Sequence, residues 1–409
     1  MLKKIKKIFS KIDLFLFNKF GSEKKLYFLE NLKEAKIIFS QINESENDDK
    51  IKFVGGCIRK ALTHDELDDI DLATTLTPNE VKKIFDKKKI RVIDSGISHG
   101  TITAILNGVK FEITTLRKDV NTYGRHADVE FTLDWEQDAS RRDFTINAIY
   151  ADINGKIYDP HSGLEDFHNG KVKFIGMPQD RIQEDYLRIL RYLRFYTQYS
   201  KEEHEPNTIQ AIKQNINGIN KISNERIFDE LKKILSLKNV DKLFSNNISK
   251  EIILNILPQI KYYDRLNKIN KLTNKKRYDV NLILALLIID GTNDYEYFCY
   301  KYKTSNKVKS RFKNIAENYE NLKNKKFYLE KNIRKLIYLI GKNKVLDLLL
   351  FSLSIHNRME VTQIEKLIDY AISSKMPKFP ISGDYLKKYG YETGQILGKT
   401  LKTLEDKWV

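Results

Sequence analysis

Short apolar runs separated by polar and glycine-containing turns characterise the first 150 of the 409 residues. Runs of this length that are rich in Ile, Val, Phe and Thr predict β-strands. A helix is predicted over 77–88, where Pro78 suits a first helical turn. This part of the chain is therefore predicted to be a mixed α/β domain with a small sheet, with strands over 51–56, 68–74, 90–94, 100–106 and 109–116.

The pattern changes to a helical period from about residue 180 onward. The segment "EDYLRILRYLRFYTQY" places Tyr186, Ile189, Leu190 and Leu193 on one stripe, and this periodicity continues through 224–237 and 333–340. The most apolar run, "LILALLII" at 282–289, is too short for a membrane span and predicts a buried helix. The predicted fold is an α/β N-terminal head followed by an all-α remainder, α+β overall, with no membrane partner.

Charge and cysteine content narrow the class of protein. The net charge is +17, which favours a polyanionic partner such as nucleic acid, although an AT-rich genome would also enrich lysine. Cys57 and Cys299 are far apart in the sequence and form no zinc motif, which predicts a reducing, cytoplasmic location. The basic, amphipathic start of the chain predicts an N-terminal surface helix, the alternative being a targeting peptide.

The stretch "DIDLAT" carries the first candidate chemistry. On a strand, Asp69 and Asp71 lie on the same side with Cα atoms roughly 6.5 Å apart, while Ile70 and Leu72 face the core. Two carboxylates this close repel each other. Binding of Mg²⁺, a hard cation that accompanies nucleotide phosphates, would neutralise this repulsion. Glu112, in "KFEITTL", is a candidate third metal ligand, with a solvated outward face as the alternative.

A glycine pair precedes these carboxylates. Gly55 and Gly56 end the first predicted strand, and Arg59 follows one helical turn later. Glycine lets a backbone approach a phosphate closely, so these amides and the guanidinium together predict a triphosphate cradle. An isolated Gly-Gly would be only a turn.

Two further polar clusters follow along the chain. In "SRRDFTINAIYAD", Asp143 could accept hydrogen bonds from ribose hydroxyls, and Arg142 could hold a triphosphate or a base, the alternative being a solvated helix start. In "QEDYLRILRYLRF", Asp185 precedes Arg188 by three residues. Cytosine and adenine both present an amino donor beside a ring-nitrogen acceptor, so this Asp and Arg could select C and A over G and U. The alternative for this segment is a salt-bridged solvent face.

Together these stretches resemble the class II tRNA nucleotidyltransferase/poly(A) polymerase family of the polymerase-β superfamily. The motifs occur in the family's order, from "GGCIR" through "DIDLAT", "EITTLR", "SRRDFTINA" and "EDYLRILRYLRF" to "SNERIFDEL". The resemblance implies template-free addition of C, C and A to tRNA 3′ ends from CTP and ATP. It also implies Mg²⁺ at Asp69 and Asp71.

The resemblance also assigns further residues and a division of the chain. The nucleotide-binding positions that it implies are Gly56, Arg59, Arg142 and Asp143, with Asp185 and Arg188 as the base-reading pair and Arg191 and Arg194 as its supporting arginines. Residues 117–134 correspond to a flexible loop linked to addition of the terminal A, and Tyr123 stands where this loop often has Asp. The predicted parts are an N-terminal helical extension (1–49), a catalytic head (50–165), a base-recognition neck (166–240), and a tRNA-binding body and tail (241–409).

Other functions remain open at this point. Poly(A) polymerase and CC-adding enzymes are sister activities built on the same site, and a catalytically silent RNA-binding protein is the hypothesis from a different class. A small-molecule nucleotidyltransferase would share the glycine pair and the D-x-D motif, but it would not need the arginines of 188–194 or a long basic helical body.

Overall fold

The computed structural model describes residues 26, 32–45, 48–63, 65, 67, 69–97, 100–123, 126–270, 278–356, 358–375 and 378–408. The chain divides into two compact units, Met1–Ile222 and Ser223–Val409. The surface helix predicted at the start of the chain lies outside the described residues. The four-part division at 49/50, 165/166 and 240/241 stays a prediction.

A seven-stranded mixed sheet forms the centre of the first unit. Its strands are β1 Ile51–Val54, β2 Asp69–Thr74, β3 Arg91–Gly96, β4 Thr101–Leu106, β5 Val109–Thr115, β8 Tyr150–Ala151 and β9 Ile157–Tyr158. They lie in the order β3-β4-β5-β2-β1-β8-β9, and β2 pairs in parallel with β5 and antiparallel with β1. The five predicted strands are confirmed, whereas the two-residue strands β8 and β9 were not predicted.

The segment predicted as a flexible loop contains a separate two-stranded antiparallel sheet of β6 Arg117–Tyr123 and β7 His126–Phe131. Tyr123 is opposite His126 in this register. The loop was implied only by the family resemblance: RKDVNTY is mostly polar, whereas HADVEF alternates Ala127, Val129 and Phe131 with polar residues, as a strand does.

The burial of alternate residues determines which face of the central strand β2 packs against the core. Ile70 and Leu72 of β2 are buried and pack in one cluster with Phe53 and Phe111 of the neighbouring strands. The helices of this unit are α1 Lys33–Ile42, α2 Gly56–Thr63, α3 Pro78–Lys87, α4 Trp135–Ser140, α5 Gly163–Asn169, α6 Pro178–Glu184, α7 Arg188–Tyr199 and α8 Pro206–Asn215. Helix α3 begins as predicted, with Thr77 and Glu80 forming a capping box before Pro78.

The helix predicted across Asp185 is interrupted in the structure. Helix α6 ends at Glu184, Asp185 has an extended backbone, and α7 begins at Arg188. Ile189, Leu190 and Leu193 are fully buried on the predicted stripe of α7. Tyr186 instead lies in the connection, where its ring occupies the space that a Cβ on Gly218 would need.

The secondary-structure elements of the second unit are all helices within its described residues. The apolar run at 282–289 forms the buried helix α13, as predicted. The helices are α9 Asn224–Leu235, α10 Asp241–Ser245, α11 Asn247–Ile256, α12 Asp264–Asn270, α13 Val280–Ile288, α14 Asp294–Lys301, α15 Asn306–Glu317, α16 Glu330–Ile340, α17 Lys342–Ser352, α18 Arg358–Ser373, α19 Gly383–Lys387 and α20 Gln395–Trp408. The predicted α/β head with an all-α remainder is therefore confirmed.

No helix among the described residues combines the length and apolarity needed to cross a membrane. Cys57 and Cys299 are both buried and unbridged.

Candidate active site

Asp69 and Asp71 lie on the same side of β2, and Asp71 is the more enclosed of the two. The backbone N–H of Gly56 donates a hydrogen bond to Oδ2 of Asp71 across 3.1 Å. Burial raises the pKa of Asp71, and the charge of Asp69 raises it further. The Gly56 amide and the guanidinium groups of Arg59 and Arg142 oppose the rise. The aspartate pair is thus a partly desolvated anionic site.

Glu112 adds a third carboxylate to this region. In the parallel register of β2 and β5, Glu112 is paired with Asp71, so the two side chains emerge on the same side of the sheet. Burial raises the pKa of Glu112, followed by the charges of Asp71 and then Asp69. The structure therefore brings Glu112 into the electrostatic field of the aspartate pair.

The donor set suits a divalent cation. Carboxylate oxygens are hard ligands, and the mutual repulsion of these side chains is what a bound cation would relieve. Within the described part of the chain, no three His, Cys, Asp or Glu side chains converge as a ready metal cluster. Asp69 and Asp71 are consequently the residues that fit a metal, and the third ligand stays a prediction.

The glycine pair is held at the end of β1 by close contacts. Gly55 has a positive φ of 68°, which a residue with a side chain rarely adopts. A Cβ on Gly56 would lie 2.8 Å from Oδ2 of Asp71. The sequence predicted these glycines as a phosphate cradle, and the structure adds that Gly56 keeps space for Asp71.

Arg142 adjoins this glycine turn and is fixed by a buried acid. Its Nη2 and Nε donate to Oδ2 of Asp138 at 2.9 and 3.3 Å, and Nε also donates to the hydroxyl of Tyr150 at 3.0 Å. Its Nη1 is 3.8 Å from the position of a Cβ on Gly55. Although burial alone would raise the pKa of Asp138, the charges of Arg142 and Arg141 hold it well below its usual range.

Asp143 is buried and already paired. Nε of Arg191 donates to its Oδ2 at 2.6 Å, and Nδ2 of Asn147 donates to its Oδ1 at 2.6 Å. Burial opposes ionisation, but Arg191, Asn147 and Arg188 together lower the pKa of Asp143 to about 2. The segment forms a short 3₁₀ turn, Thr145–Asn147, at which Asn147 contacts Asp143.

Arg59 joins the glycine turn to helix α7. Its Nη1 donates to Oδ1 of Asn147, and its guanidinium lies 4.8 Å from the ring centre of Phe195. The guanidinium of Arg194 lies 4.1 Å from the same ring, and that of Arg191 lies 5.8 Å from it. Three of the predicted nucleotide-binding arginines therefore converge on one buried aromatic ring.

The predicted base-reading pair lies at the break between α6 and α7. Oδ1 of Asp185 accepts a hydrogen bond from the backbone N–H of Leu187 at 3.2 Å, and the N–H of Arg188 donates to the Asp185 carbonyl. Nη1 of Arg188 contacts Glu184 at 2.5 Å. The pair is thus positioned by an interhelix turn, and not by spacing along one helix.

Arg181 connects this turn to Arg142. Its Nη1 donates to both carboxylate oxygens of Glu184, and its Nη2 donates to the carbonyls of Arg141 and Arg142 at 2.6 Å each. The arginines of 188–194 are therefore half-buried members of a network, so the predicted alternative of a solvent-exposed salt-bridged face does not describe them.

Two supporting residues, Asp138 and Arg181, were missed by the sequence analysis. Asp138 precedes Arg141 and Arg142 by three and four residues, and this spacing was the available signal. For Arg181, the three-residue spacing to Glu184 was a local signal, but its bonds to the carbonyls of Arg141 and Arg142, 40 and 39 residues away, had none.

Comparison with known proteins identifies the family. Residues 51–173 match a family model described as the poly A polymerase head domain, and residues 203–263 match one described as a probable RNA and SrmB-binding site of polymerase A. The mitochondrial CCA tRNA nucleotidyltransferase 1 of Danio rerio is 36% identical over 383 residues, covering 89% of this chain and 84% of that protein. The human counterpart is 35% identical over 398 residues, covering 93% of this chain and 86% of its own.

The chain belongs to the CCA tRNA nucleotidyltransferase family.

The fold of this CCA tRNA nucleotidyltransferase family member is shared with a solved structure. The Bacillus stearothermophilus CCA-adding enzyme in complex with CTP is similar in fold, with a TM-score of 0.69 and 24% identity over 91% of both chains. Nucleotidyltransferases of this family generally use divalent metal ions.

The expected cytoplasmic location is wrong. The Danio rerio and human relatives are both named as mitochondrial proteins, which points away from the cytoplasm. Two cysteines far apart in sequence indicate a reducing environment without distinguishing one reducing compartment from another, and for this reason the inference failed.

Proposed function

We propose that this protein adds CCA to the 3′ end of tRNA from CTP and ATP, without a nucleic-acid template. The observation that carries the proposal is that Gly56 and Arg142, at the end of β1, lie beside Asp71 of β2, which is paired in register with Glu112 of β5. This anionic site beside a glycine turn and a fixed guanidinium suits a metal–triphosphate, and the relatives named above are CCA tRNA nucleotidyltransferases.

Each addition is a nucleotidyl transfer. The 3′ hydroxyl oxygen of the RNA attacks the α-phosphorus of the nucleoside triphosphate, and the hydroxyl proton is released to solvent. A new P–O bond forms as the bond to the β-phosphate oxygen breaks, and pyrophosphate leaves. Asp69 and Asp71 would hold Mg²⁺, which supplies Lewis-acid stabilisation of the attacking and leaving oxygens.

Arginines and backbone amides orient the triphosphate. The guanidinium of Arg142 is fixed by Asp138, so it offers its charge beside Gly55 with little rotamer freedom to lose. Arg59 lies across the same turn, and its buried Nε finds no acceptor among the described residues. A phosphate oxygen is the natural partner for such a donor.

The residues around α6 and α7 select the base and the sugar of the incoming nucleotide. Asp185 accepts from the amino group of C or A, and Arg188 donates to the adjacent ring nitrogen, which excludes G and U. Asp143 already accepts from Arg191 and Asn147, so any ribose hydroxyl must share its remaining acceptor capacity. Its charge therefore also serves to hold Arg191 in place.

The net charge of +17 provides long-range attraction for tRNA. Affinity is expected to fall steeply with salt, since counterions are released from each phosphate that a Lys or Arg neutralises.

Extension of a tRNA that lacks its 3′ CCA tests the proposal, with purified protein, Mg²⁺, CTP and ATP. Replacing Asp69 and Asp71 together with alanine should abolish incorporation. Unchanged incorporation by this double variant would show that the metal assignment is wrong, and inactive wild-type protein would indicate a silent RNA-binding relative.

A further inference from the structure

Asn147 contacts three of the residues that are predicted to bind the nucleotide. It ends the 3₁₀ turn Thr145–Asn147 and is buried, with 6% of its surface exposed. Its Oδ1 accepts from Nη1 of Arg59, its Nδ2 donates to Oδ1 of Asp143 at 2.6 Å, and its main-chain carbonyl accepts from Nη1 of Arg142 at 3.4 Å. One buried residue therefore joins both arginines beside the glycine turn to the aspartate on the ribose side.

The side-chain amide of Asn147 is matched to two partners of opposite kind. A guanidinium only donates hydrogen bonds and an ionised carboxylate only accepts them, so the amide oxygen faces Arg59 and the amide nitrogen faces Asp143. An amide carries its acceptor and its donor on two atoms of one planar group. Substitution by a residue that lacks either atom would break one of the two bonds.

These bonds belong to a closed path around Phe195. Oδ2 of Asp143 accepts from Nε of Arg191 at 2.6 Å. The guanidinium groups of Arg191 and Arg59 lie 5.8 and 4.8 Å from the centre of the Phe195 ring. The path thus runs from Arg59 through Asn147, Asp143 and Arg191 to the ring and back to Arg59. A buried polar network whose members have partners is rigid, so each member restricts the orientation of the next.

We propose that Asn147 is a positioning residue that holds Arg59 in place for the triphosphate and Asp143 in place for the ribose. The proposal rests on the proposed function, which assigns these two groups to the nucleotide. Asn147 acts through them and is not itself a catalytic residue. Loss of its amide should weaken phosphate binding and sugar selection together, whereas loss of a buried amide elsewhere should affect neither.

The test replaces Asn147 with leucine, which is close to asparagine in size but has neither donor nor acceptor. The matched control is Asn314→Leu. Asn314 is similarly buried, with 7% of its surface exposed, and lies on α15 of the second unit, where its Nδ2 donates to the Lys344 carbonyl at 3.4 Å. Both variants lose a buried amide, so the comparison separates positioning in the site from a general loss of stability, which melting temperatures record.

Two titrations of the full chain with Mg²⁺, and without RNA, measure the two partners separately. Inorganic tripolyphosphate has no sugar or base, so its dissociation constant reports the phosphate side of the site through Arg59. CTP and dCTP differ only in the 2′ hydroxyl, so the ratio of the dCTP to the CTP dissociation constant reports the ribose side through Asp143.

Asn147→Leu should weaken tripolyphosphate binding about tenfold and reduce the dCTP-to-CTP ratio about fivefold, since each lost bond involves a charged group. Asn314→Leu should leave both quantities at their wild-type values. Neither quantity depends on the fraction of protein that is folded, so a partly destabilised variant still gives an answer.

Asn147→Asp is a second variant, which serves if the leucine variant does not fold. It keeps the size of the side chain and the acceptor for Arg59, but it sets a carboxylate against that of Asp143. The dCTP-to-CTP ratio should therefore fall in this variant as well.

The proposal is overturned if either quantity keeps its wild-type value in folded Asn147→Leu, if Asn314→Leu changes both equally, or if Asn147→Asp keeps the wild-type ratio. A wild type that binds CTP and dCTP equally would also overturn it. These readouts are binding constants measured without RNA, so they are distinct from failure of the proposed function. If the wild type extended no tRNA while Asn147→Leu still changed both quantities, the positioning role would stand and the proposed activity would not.

Discussion

The backbone N–H of Gly56 donates to Oδ2 of Asp71 across 3.1 Å, and a methyl group on Gly56 would lie 2.8 Å from that same oxygen. The glycine therefore both orients the carboxylate and leaves the space that it occupies. This relationship connects the glycine turn to the proposed metal ligand, and it makes the position sensitive to one added carbon.

Gly56→Ala should reduce nucleotide incorporation by roughly 10²-fold, because a displacement of the order of 1 Å at a catalytic carboxylate has that effect. The measurement is kcat for CTP addition. Gly108→Ala is the control, since Gly108 has a positive φ of 83° and nothing lies within 4 Å of an added Cβ. Gly108→Ala should cost about 1 kcal/mol of stability and keep its activity. Equal activity of the two variants would contradict the assignment of Asp71.

Asp71→Asn should raise the melting temperature of the metal-free protein at neutral pH while removing activity. Burial raises the pKa of Asp71 above its ordinary value of 3.8, so the ionised carboxylate destabilises the folded state. Stability of the wild type is lost as pH rises through that raised pKa, and the advantage of Asn should shrink toward pH 4. Thermal unfolding in EDTA between pH 4 and 8 checks this. A variant that is less stable than wild type over the whole range would contradict it.

Asp138→Asn should raise the KM for CTP and ATP about tenfold, because Arg142 loses the charged partner that fixes its guanidinium. Tyr150→Phe is the control, since it removes a hydroxyl that contacts both Asp138 and Arg142 but leaves their ion pair. Steady-state kinetics measure the KM of both variants, and only Asp138→Asn should show the increase. If Asp138→Asn lowers the melting temperature without changing KM, Asp138 has no positioning role.

Arg188→Ala should relax base selection. Loss of the donor to the ring nitrogen removes the penalty against U and G, so a mixture of four nucleotides should yield products that contain them. Sequencing of extended tRNA measures the change, with Gln198→Ala, exposed on the same helix, as the control. Faithful CCA addition by Arg188→Ala would place base selection elsewhere.

Much of the fold was predictable because its signals are local. Alternating or continuous apolar runs identified the five long strands, and Pro78 identified the start of a helix, where the structure adds a Thr77–Glu80 capping box. Strands β8 and β9 have two residues each, which is too short for an alternation of apolar and polar residues to be recognised. The break at Asp185 was hidden, because the apolar spacing continues across it while Tyr186 turns toward Gly218.

The residues of the candidate site were predictable from the sequence, whereas most of the contacts between them were not. Asp69, Asp71 and the glycine pair follow from strand geometry and backbone freedom. The contacts of Asp143 with Arg191 and of Arg59 with Asn147 span 48 and 88 residues, and no short-range pattern encodes such pairs. The bonds of Arg181 to main-chain carbonyls are equally invisible in the sequence.

The most direct test of the central claim is the length and sequence of products made from tRNA lacking its 3′ CCA, with Mg²⁺, CTP and ATP supplied together. The account predicts addition of C, C and A in that order, followed by termination after three nucleotides. Runs of A on this or any other RNA, or termination after two Cs, would contradict it.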